Sequence, residues 1–483
     1  MGNAYNNLGQ YQEATESLRA AIEVYESLRD EDIPDAQQIT FFDTQRKPYI
    51  HLQRSLVAQG EAQQALTIAE RGRARAFVSS LAKRQNQELP SLPPPSIAEF
   101  QRIAQAQNAT LVQYSNVSFA DDETPQLFIW VIQPTGAIHF EVVDLSGFDQ
   151  TLDDLVTTTR QALNVRSRNN DAEAIIALTP EAQQRQHQQQ TESLQALHQL
   201  LIEPIAAYLP TDPEDRIIFI PDQALYLVPF PALIDASGDY LIEHHTVLTA
   251  PSIQVLDLTQ TQDSLTATSL QPDDLLLVGN PIMPSVWNPN SGQSERLASL
   301  PGTETEARAI QTLIGTDPLM WEAATEATVK AQMPDAQVIH LATHGLLDYG
   351  DPQETGVLDF PGAIALAPGD ENDGLLTAAE ILQIDLTAKL VVLSACDTGR
   401  GRITGDGVVG LSRAFMQAGV PSLIVSLWKV PDEATAFLMT EFYENWQTES
   451  DRAQALRQAM LTTMEQYPDP LNWAAFTLIG QAE

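Results

Sequence analysis

Cysteine is nearly absent from this sequence: Cys396 is the only one in 483 residues. A single thiol rules out an internal disulfide framework and permits a reducing compartment. Basic residues are scarce too. There are 26 Lys and Arg against 64 Asp and Glu, for a net charge of −38 and a pI near 4.3. Such a chain repels phosphate backbones and anionic lipid, which argues against direct binding to nucleic acid or a membrane surface. General solubility is the simplest reading of the acidity, with a preference for basic or neutral partners as the second. Long apolar runs are also missing. None approaches the ~18 residues a membrane span needs. The start, MGNAYNNLGQ, lacks the basic-then-apolar order of a secretory signal, and Asn6 stands where a myristoylation site needs Ser or Thr. The expectation from these absences is a soluble cytoplasmic protein of two to four domains.

What is present falls into three textures. Residues 1–88 read as helix, with Leu18, Ile22 and Tyr25, then Leu66, Ile68 and Ala69, at helical spacing. The piece GNAYNNLGQYQEATESLRAAI resembles a tetratricopeptide repeat. Gly2 and Tyr5 sit on one helix and Gly9, Tyr11, Ala14, Leu18 and Ala21 on the next, small residues allowing close approach and bulky ones filling the gap. Met1 falls partway into the first helix of that repeat. The expectation is a truncated repeat, covered by further helices between Ile33 and Gln59 or by chain upstream. A second repeat-like piece, residues 57–77, carries Arg71, Arg73 and Arg75, a small basic island that reads as a solvated helix face.

LPSLPPPS, residues 89–96, cannot continue a helix and is expected to be a Pro-rich linker. Beyond it come TLVQY, LFIWVIQ, AIHFEVV and RIIFIP, all strand-like. The polar tract from Ser167 to Thr191 reads as a loop or a solvated helix. From about residue 250, apolar strands (LLLVGN, VIHLATHG, LVVLSACD, SLIVSLW) alternate with amphipathic helices (TEARAIQTLI, GVVGLSRAFMQAG, DEATAFLMTEFYENW). That alternation predicts a mostly parallel α/β sheet flanked by helices, in two blocks, 97–235 and 236–483.

In open parallel sheets, reactive groups gather beyond the carboxyl ends of strands. Two strand ends qualify here. One carries His344 and Gly345, the other Cys396. A thiol needs a base or a lowered pKa to be an efficient nucleophile near neutral pH, and imidazole supplies this. The backbone N–H groups of Gly345 and Cys396 would form an oxyanion hole. Gly399, Gly401, Gly405 and Gly407 then give a flexible rim leading into a helix. Taken singly, a lone cysteine is more often a small buried hydrophobe, and a lone histidine structural. The pair is more informative, at roughly the 50-residue separation of the caspase dyad. The Ala-Cys-x-Gly signature is only partly kept, since Asp397 follows the cysteine and the next glycine is Gly399.

IHLATHGLLD (339–348), DGLLTAAEI (373–381), VVLSACDTGRGRITGDGVVGLSRAFMQAG (391–419), SLIVSLWKVPD (422–432) and NWAAFTLIG (472–480) together resemble the CHAT domain family. These are caspase-like peptidase domains, allied to separases and gingipains, often joined to tetratricopeptide repeats and common in cyanobacteria. The resemblance covers nearly the whole chain. It implies a caspase-like catalytic domain at 236–483, preceded by a degenerate, inactive caspase-like copy at 97–235. It also implies His344 as base and Cys396 as nucleophile of a cysteine endopeptidase that needs no metal or organic cofactor. An acidic pocket built from Asp397, Asp406 and Asp432, with Trp428 along the groove, would favour Arg or Lys before the cut.

Each of those positions has a plainer reading. Asp432 after Pro431 suits a helix N-cap; Asp406 between glycines suits a turn; Trp428 suits core packing. Arg400 and Arg402 could hold the loop through Asp397 or Asp406, or be cut sites. His340, four residues before His344, shares its strand face, but no third ligand stands at metal-like spacing. For the whole protein, the expected partners are a protein or peptide substrate and a regulatory protein that binds the helical repeats and releases a latent enzyme. The alternative from another class is a catalytically silent scaffold for protein–protein interaction. A redox sensor at Cys396 would need an external thiol, because the chain has no resolving cysteine.

Overall fold

The computed structural model describes residues 1–27, 46–73, 75–84, 96–119, 124–148, 150–163, 165, 180–260, 270–288, 292–346, 349, 361–394, 402–404, 407–448 and 451–482. Eleven strands among them join one sheet. They are β1 (Ala109–Asn116), β2 (Gln126–Ile132), β3 (Ile138–Asp144), β4 (Arg216–Ile220), β5 (Thr246–Thr249), β6 (Leu275–Pro281), β7 (Leu319–Trp321), β8 (Val338–Ala342), β9 (Leu390–Ser394), β10 (Ser422–Ser426) and β11 (Phe476–Gly480). Their order is β3-β2-β1-β4-β5-β11-β10-β9-β8-β6-β7. The run β7-β6-β8-β9-β10 is parallel throughout. β11 reverses direction against β10 and runs parallel to β5, which leads on to β4 and β1, also parallel. The antiparallel β1-β2-β3 meander finishes that edge. The sheet is therefore mixed but mostly parallel, and continuous across residue 235.

The central strands are buried along their whole length because both faces are covered. Alternate residues go to opposite cores, as the strand period requires. Val338, Leu390, Val392 and Ile424 face one core, completed by Leu438, Phe442 and Trp446 of the helix Asp432–Thr448. Ile339, Leu341, Val391, Leu393, Leu423 and Val425 face the other, completed by Phe415 of the helix Leu411–Gln417 and Val255 of the helix Ile253–Leu258. Phe77, Val78 and Leu81 of the helix Arg75–Arg84 belong to that second core. The last helix of the N-terminal region is thus part of the layer that covers the sheet.

The helices Gly2–Asn7, Tyr11–Ser27, Arg46–Ala58 and Ala62–Arg71 pack in succession, with Leu18, Ile22, Leu66, Ile68 and Ala69 buried as their spacing predicts. Arg46–Ala58 supplies cover expected between Ile33 and Gln59. The basic island differs from the solvated face read from the sequence. Arg71 pairs with Glu26, and Arg73 is buried, donating to the carbonyl oxygens of Pro221 and Tyr114 beside Asp222. Buried cations must be paired or hydrogen-bonded, and the carbonyls that do this come from sequence positions far from the helix. The polar tract is helical over its described part, within Pro180–Leu201. Of the 89–96 linker only Ser96 is described; it caps the helix Ile97–Ala106 in a capping box with Glu99. No helix among the described residues is long and apolar enough to cross a membrane.

Candidate active site

β8, β9 and β10 end side by side. Ala342 lies opposite Ser394, and Leu393 opposite Val425. His344 follows β8 by two residues, and Cys396 follows β9 by two. Parallel strands in register bring their carboxyl ends to one edge, so the two expected reactive residues belong to adjacent strand ends. Cys396, Asp397 and Asp406 themselves lie outside the described residues. Arg402–Thr404 and Gly407–Val409, expected as loop and helix, pair as a short antiparallel ladder just before the Leu411–Gln417 helix.

His344 is half-buried. Its Nε2 lies 2.8 Å from the carbonyl oxygen of Ala298. A carbonyl only accepts, so Nε2 carries the proton and Nδ1 is left as the basic nitrogen. Burial lowers the imidazole pKa from its ordinary 6.5; the Ala298 carbonyl and Asp432 oppose that, and Lys429 adds to it. The net direction is down, which keeps the ring neutral and able to take a proton near pH 7. Gly345 follows in the short strand Gly345–Leu346, opposite Ile364, and the Ala365 N–H donates to the His344 carbonyl at 2.9 Å.

Ala298 has no signal in the sequence. Its position comes from Asn280 at the end of β6. The Asn280 Oδ1 accepts from Ser299 Oγ and from the Leu300 N–H, each at 3.0 Å, while its own N–H donates to Thr303 Oγ1 at 3.0 Å. Thr303 lies in the helix Pro301–Ile314, which packs directly on β6 because Gly279 has no side chain. A Cβ there would meet Ala307 at 2.6 Å and the Thr303 carbonyl at 2.8 Å.

Beside His344 the strand ends open into a pocket. Thr343, Ser394, Ser426, Trp428 and Asp432 line it, with Glu306 from the 301–314 helix. Of the expected specificity residues, Trp428 and Asp432 are therefore at the pocket. Trp428 packs as a core residue, 1% exposed with its indole N–H donating to the Leu471 carbonyl at 3.0 Å. Asp432 is exposed, opens the helix Asp432–Thr448, and packs over Gly302. Glu306 is a residue the sequence reading missed. It is 1% exposed and accepts from His340 Nε2 at 2.9 Å, while His340 Nδ1 meets the Tyr443 hydroxyl at 3.1 Å. The two histidines four residues apart thus bond to different partners and form no metal pair. Among the described residues, Asp235, Asp239 and His244 have ligand atoms within 4.8 Å of one another. One Asp235 oxygen accepts the backbone N–H groups of Ser237, Gly238 and Asp239, which is turn formation.

Comparison with known proteins adds to this geometry. The sequence model of the CHAT domain matches residues 191–481. Tetratricopeptide repeat protein 28 of Mus musculus is 27% identical over 602 aligned positions, covering 98% of this chain and 24% of its own length. The Homo sapiens protein of the same name is 26% identical, also over 98% of this chain and 24% of its own length. The chain thus spans about a quarter of these curated relatives. In the crystal structure of the Saccharomyces cerevisiae separase–securin complex at 3.0 Å, one chain superposes with a TM-score of 0.58, at 13% identity, covering 97% of this chain and 37% of its own length. At that identity the likeness is one of fold: a caspase-like α/β fold preceded by helices.

Proposed function

This chain belongs to the CHAT domain family, and from that premise we propose that it is a cysteine endopeptidase of the caspase type. The observation that carries the reading is the hydrogen bond from His344 Nε2 to the Ala298 carbonyl. It leaves a neutral Nδ1 available at a strand end adjacent to the one Cys396 follows. In this mechanism Nδ1 takes the proton of the Cys396 thiol as the sulfur attacks the scissile carbonyl. The oxyanion is stabilised by the N–H groups of Gly345 and Cys396. Protonated His344 then gives its proton to the leaving amine, and water hydrolyses the thioester. Asp432 at the pocket mouth favours a basic residue before the cut, with Asp397 and Asp406 as further acidic candidates.

The helical region is the site of regulation in this reading. Its helix Arg75–Arg84 abuts the Leu411–Gln417 helix: Phe77 lies under the Arg413 guanidinium at 5.0 Å, and Arg84 donates to the Gln417 carbonyl at 2.9 Å. A protein partner that shifts these helices would act on the segment between Ser394 and Leu411, which contains Cys396. The enzyme is latent until that partner binds.

A silent scaffold is the second reading, favoured by one observation: the curated relatives carry the repeat name. Cleavage of a mixed peptide library, read by mass spectrometry, separates the two. Cuts that vanish in Cys396→Ala support the peptidase. If the two proteins behave identically even with a partner captured on the helices, the scaffold reading replaces it.

A further inference from the structure

We propose that the buried chain Glu306–His340–Tyr443 is a positioning device for His344: it holds the segment that carries the Ala298 carbonyl in register with β8. The use of that register in catalysis rests on the peptidase reading; the fixing of the imidazole does not. β8 and its continuation carry two histidines four residues apart, and one stretch of chain, 298–306, receives both. His344 Nε2 meets the Ala298 carbonyl at 2.8 Å, and His340 Nε2 meets a Glu306 carboxylate oxygen at 2.9 Å. His340 is fully buried and cannot reach a peptide, so it is not a catalytic residue. A third group closes the chain, the Tyr443 hydroxyl 3.1 Å from His340 Nδ1. Burial, and after it the Glu306 charge, raises that hydroxyl well above its ordinary value of 10, so it stays protonated and donates. His340 is then a neutral imidazole that accepts at Nδ1 and donates at Nε2.

The helix Pro301–Ile314 packs on β6, on β8 and on the helix Asp432–Thr448. Ala307 and Ile310 give it a fully buried apolar face. Apolar contact is non-directional and tolerates a helix sliding along its axis. Buried hydrogen bonds do not, because they fail with distance and angle and leave a costly unpaired group. A slip of one residue is about 1.5 Å. That is more than half the 2.8 Å length of the bond at Ala298 and would bend or break it. Asn280 and Thr303 pin the start of the helix to β6. They do not fix it against β8, where His344 stands. Glu306, one turn further on, supplies that second reference through His340, and Tyr443 ties the same imidazole to the facing helix. A buried polar chain stabilises less than an apolar core of the same shape. What it adds here is a single register.

The test follows imidazole protons by NMR of the full-length chain labelled with 15N-histidine, the His344 signal being assigned from His344→Gln. In the parent the His344 Nε2 proton, bonded to Ala298, should be protected from exchange with water. Tyr443→Phe and Glu306→Leu should broaden or remove that signal. Glu306→Gln, which keeps an acceptor oxygen for His340, should retain it. Circular dichroism checks each fold; Tyr443→Phe removes a single hydroxyl and carries the test if Glu306→Leu does not fold. The second readout is iodoacetamide labelling of Cys396. Tyr443→Phe should slow it at pH 7 by about three- to tenfold, the range of one hydrogen bond. It should leave labelling unchanged at pH 10, above the ordinary thiol value of about 8.5, where the thiolate forms without a base. A merely structural loss would change both rates alike. A parent without a protected His344 proton, or a signal unmoved in Tyr443→Phe, overturns the proposal. If labelling depends on His344 while its signal ignores Tyr443, the positioning is wrong and the peptidase reading stands. Loss of the signal in Tyr443→Phe, with labelling indifferent to His344→Ala, supports the positioning and removes the peptidase reading.

Discussion

The imidazole of His344 donates through Nε2 to the carbonyl oxygen of Ala298 at 2.8 Å, and Asn280 fixes the residues that follow Ala298. The base of the proposed dyad is therefore oriented from the end of a different strand, β6.

Because burial lowers the His344 pKa, the acid limb of the activity profile is expected below pH 6.5. The sign follows from the neutral ring being the active form: activity is lost as pH falls through the folded-state pKa. Iodoacetamide labelling of Cys396 gives the same answer without substrate. His344→Ala should slow labelling at pH 7 by about tenfold or more. Asn280→Ala should slow it by a smaller factor while leaving both dyad residues in place. Equal labelling rates in all three proteins would mean that His344 does not activate the thiol.

Gly302→Ala is expected to be disruptive out of proportion to one methyl group. A Cβ at position 302 would occupy the space of the Asp432 side chain from its Cβ outward. Either the 301–314 or the 432–448 helix must shift. Overpacking of this kind typically costs about 1–3 kcal/mol. The melting temperature should fall. An unchanged melting temperature would mean that Asp432 moves aside freely.

Arg73→Met should lower stability by about 3–5 kcal/mol, the cost of breaking a buried charged pair. Asp222, 3.9 Å from the guanidinium, would keep only Arg46, at 2.5 Å, as its paired cation, and the Pro221 and Tyr114 carbonyls would lose a donor. Chemical denaturation checks the value. A loss under 1 kcal/mol would return Arg73 to the solvated face its sequence context suggests.

Glu70 gives a pH signature. Burial raises its carboxyl from 4.5 to about 7, against the pull of the Gln254 N–H and Arg73. The folded state then holds a proton that the unfolded chain releases from about pH 4.5 upward. Stability from this group is present below 4.5 and is lost as pH rises toward 7. The loss is roughly 3 kcal/mol at 1.36 kcal/mol per unit. The difference in unfolding free energy between the parent and Glu70→Gln should therefore change by about that amount across this window. A pH-independent difference would show that Glu70 is ionised in the folded protein throughout.

Much of the C-terminal half was legible because its strands are buried on both faces. VIHLA, LVVLS and SLIVS stand out as largely apolar runs, and the residues where they stop are the strand ends. Hence the sequence places His344, Trp428 and Asp432 just beyond strand ends, and that is where they lie in the fold. Two readings went differently, one through a contact distant in sequence and one through a local pairing. Arg73 looked solvated because the carbonyls that receive it belong to residues 114 and 221. Gly407–Val409 looked like the start of a helix but pairs with Arg402–Thr404. Trp428 was offered as groove or core; it is buried in the core and also borders the pocket.

By itself the sequence determined the α/β class, the helical front and the pair of strand ends on which His344 and Cys396 stand. Local periodicity and burial on two faces are written in neighbouring residues. Only the tertiary structure decided that Ala298 orients His344, that Asn280 supports Ala298, and that Glu306 and Ser394 line one pocket. Those relations join side chains and carbonyls across 18 to 88 residues of chain. No spacing rule encodes them, because it is the packing of the 301–314 helix onto β6, through Gly279, that brings them together.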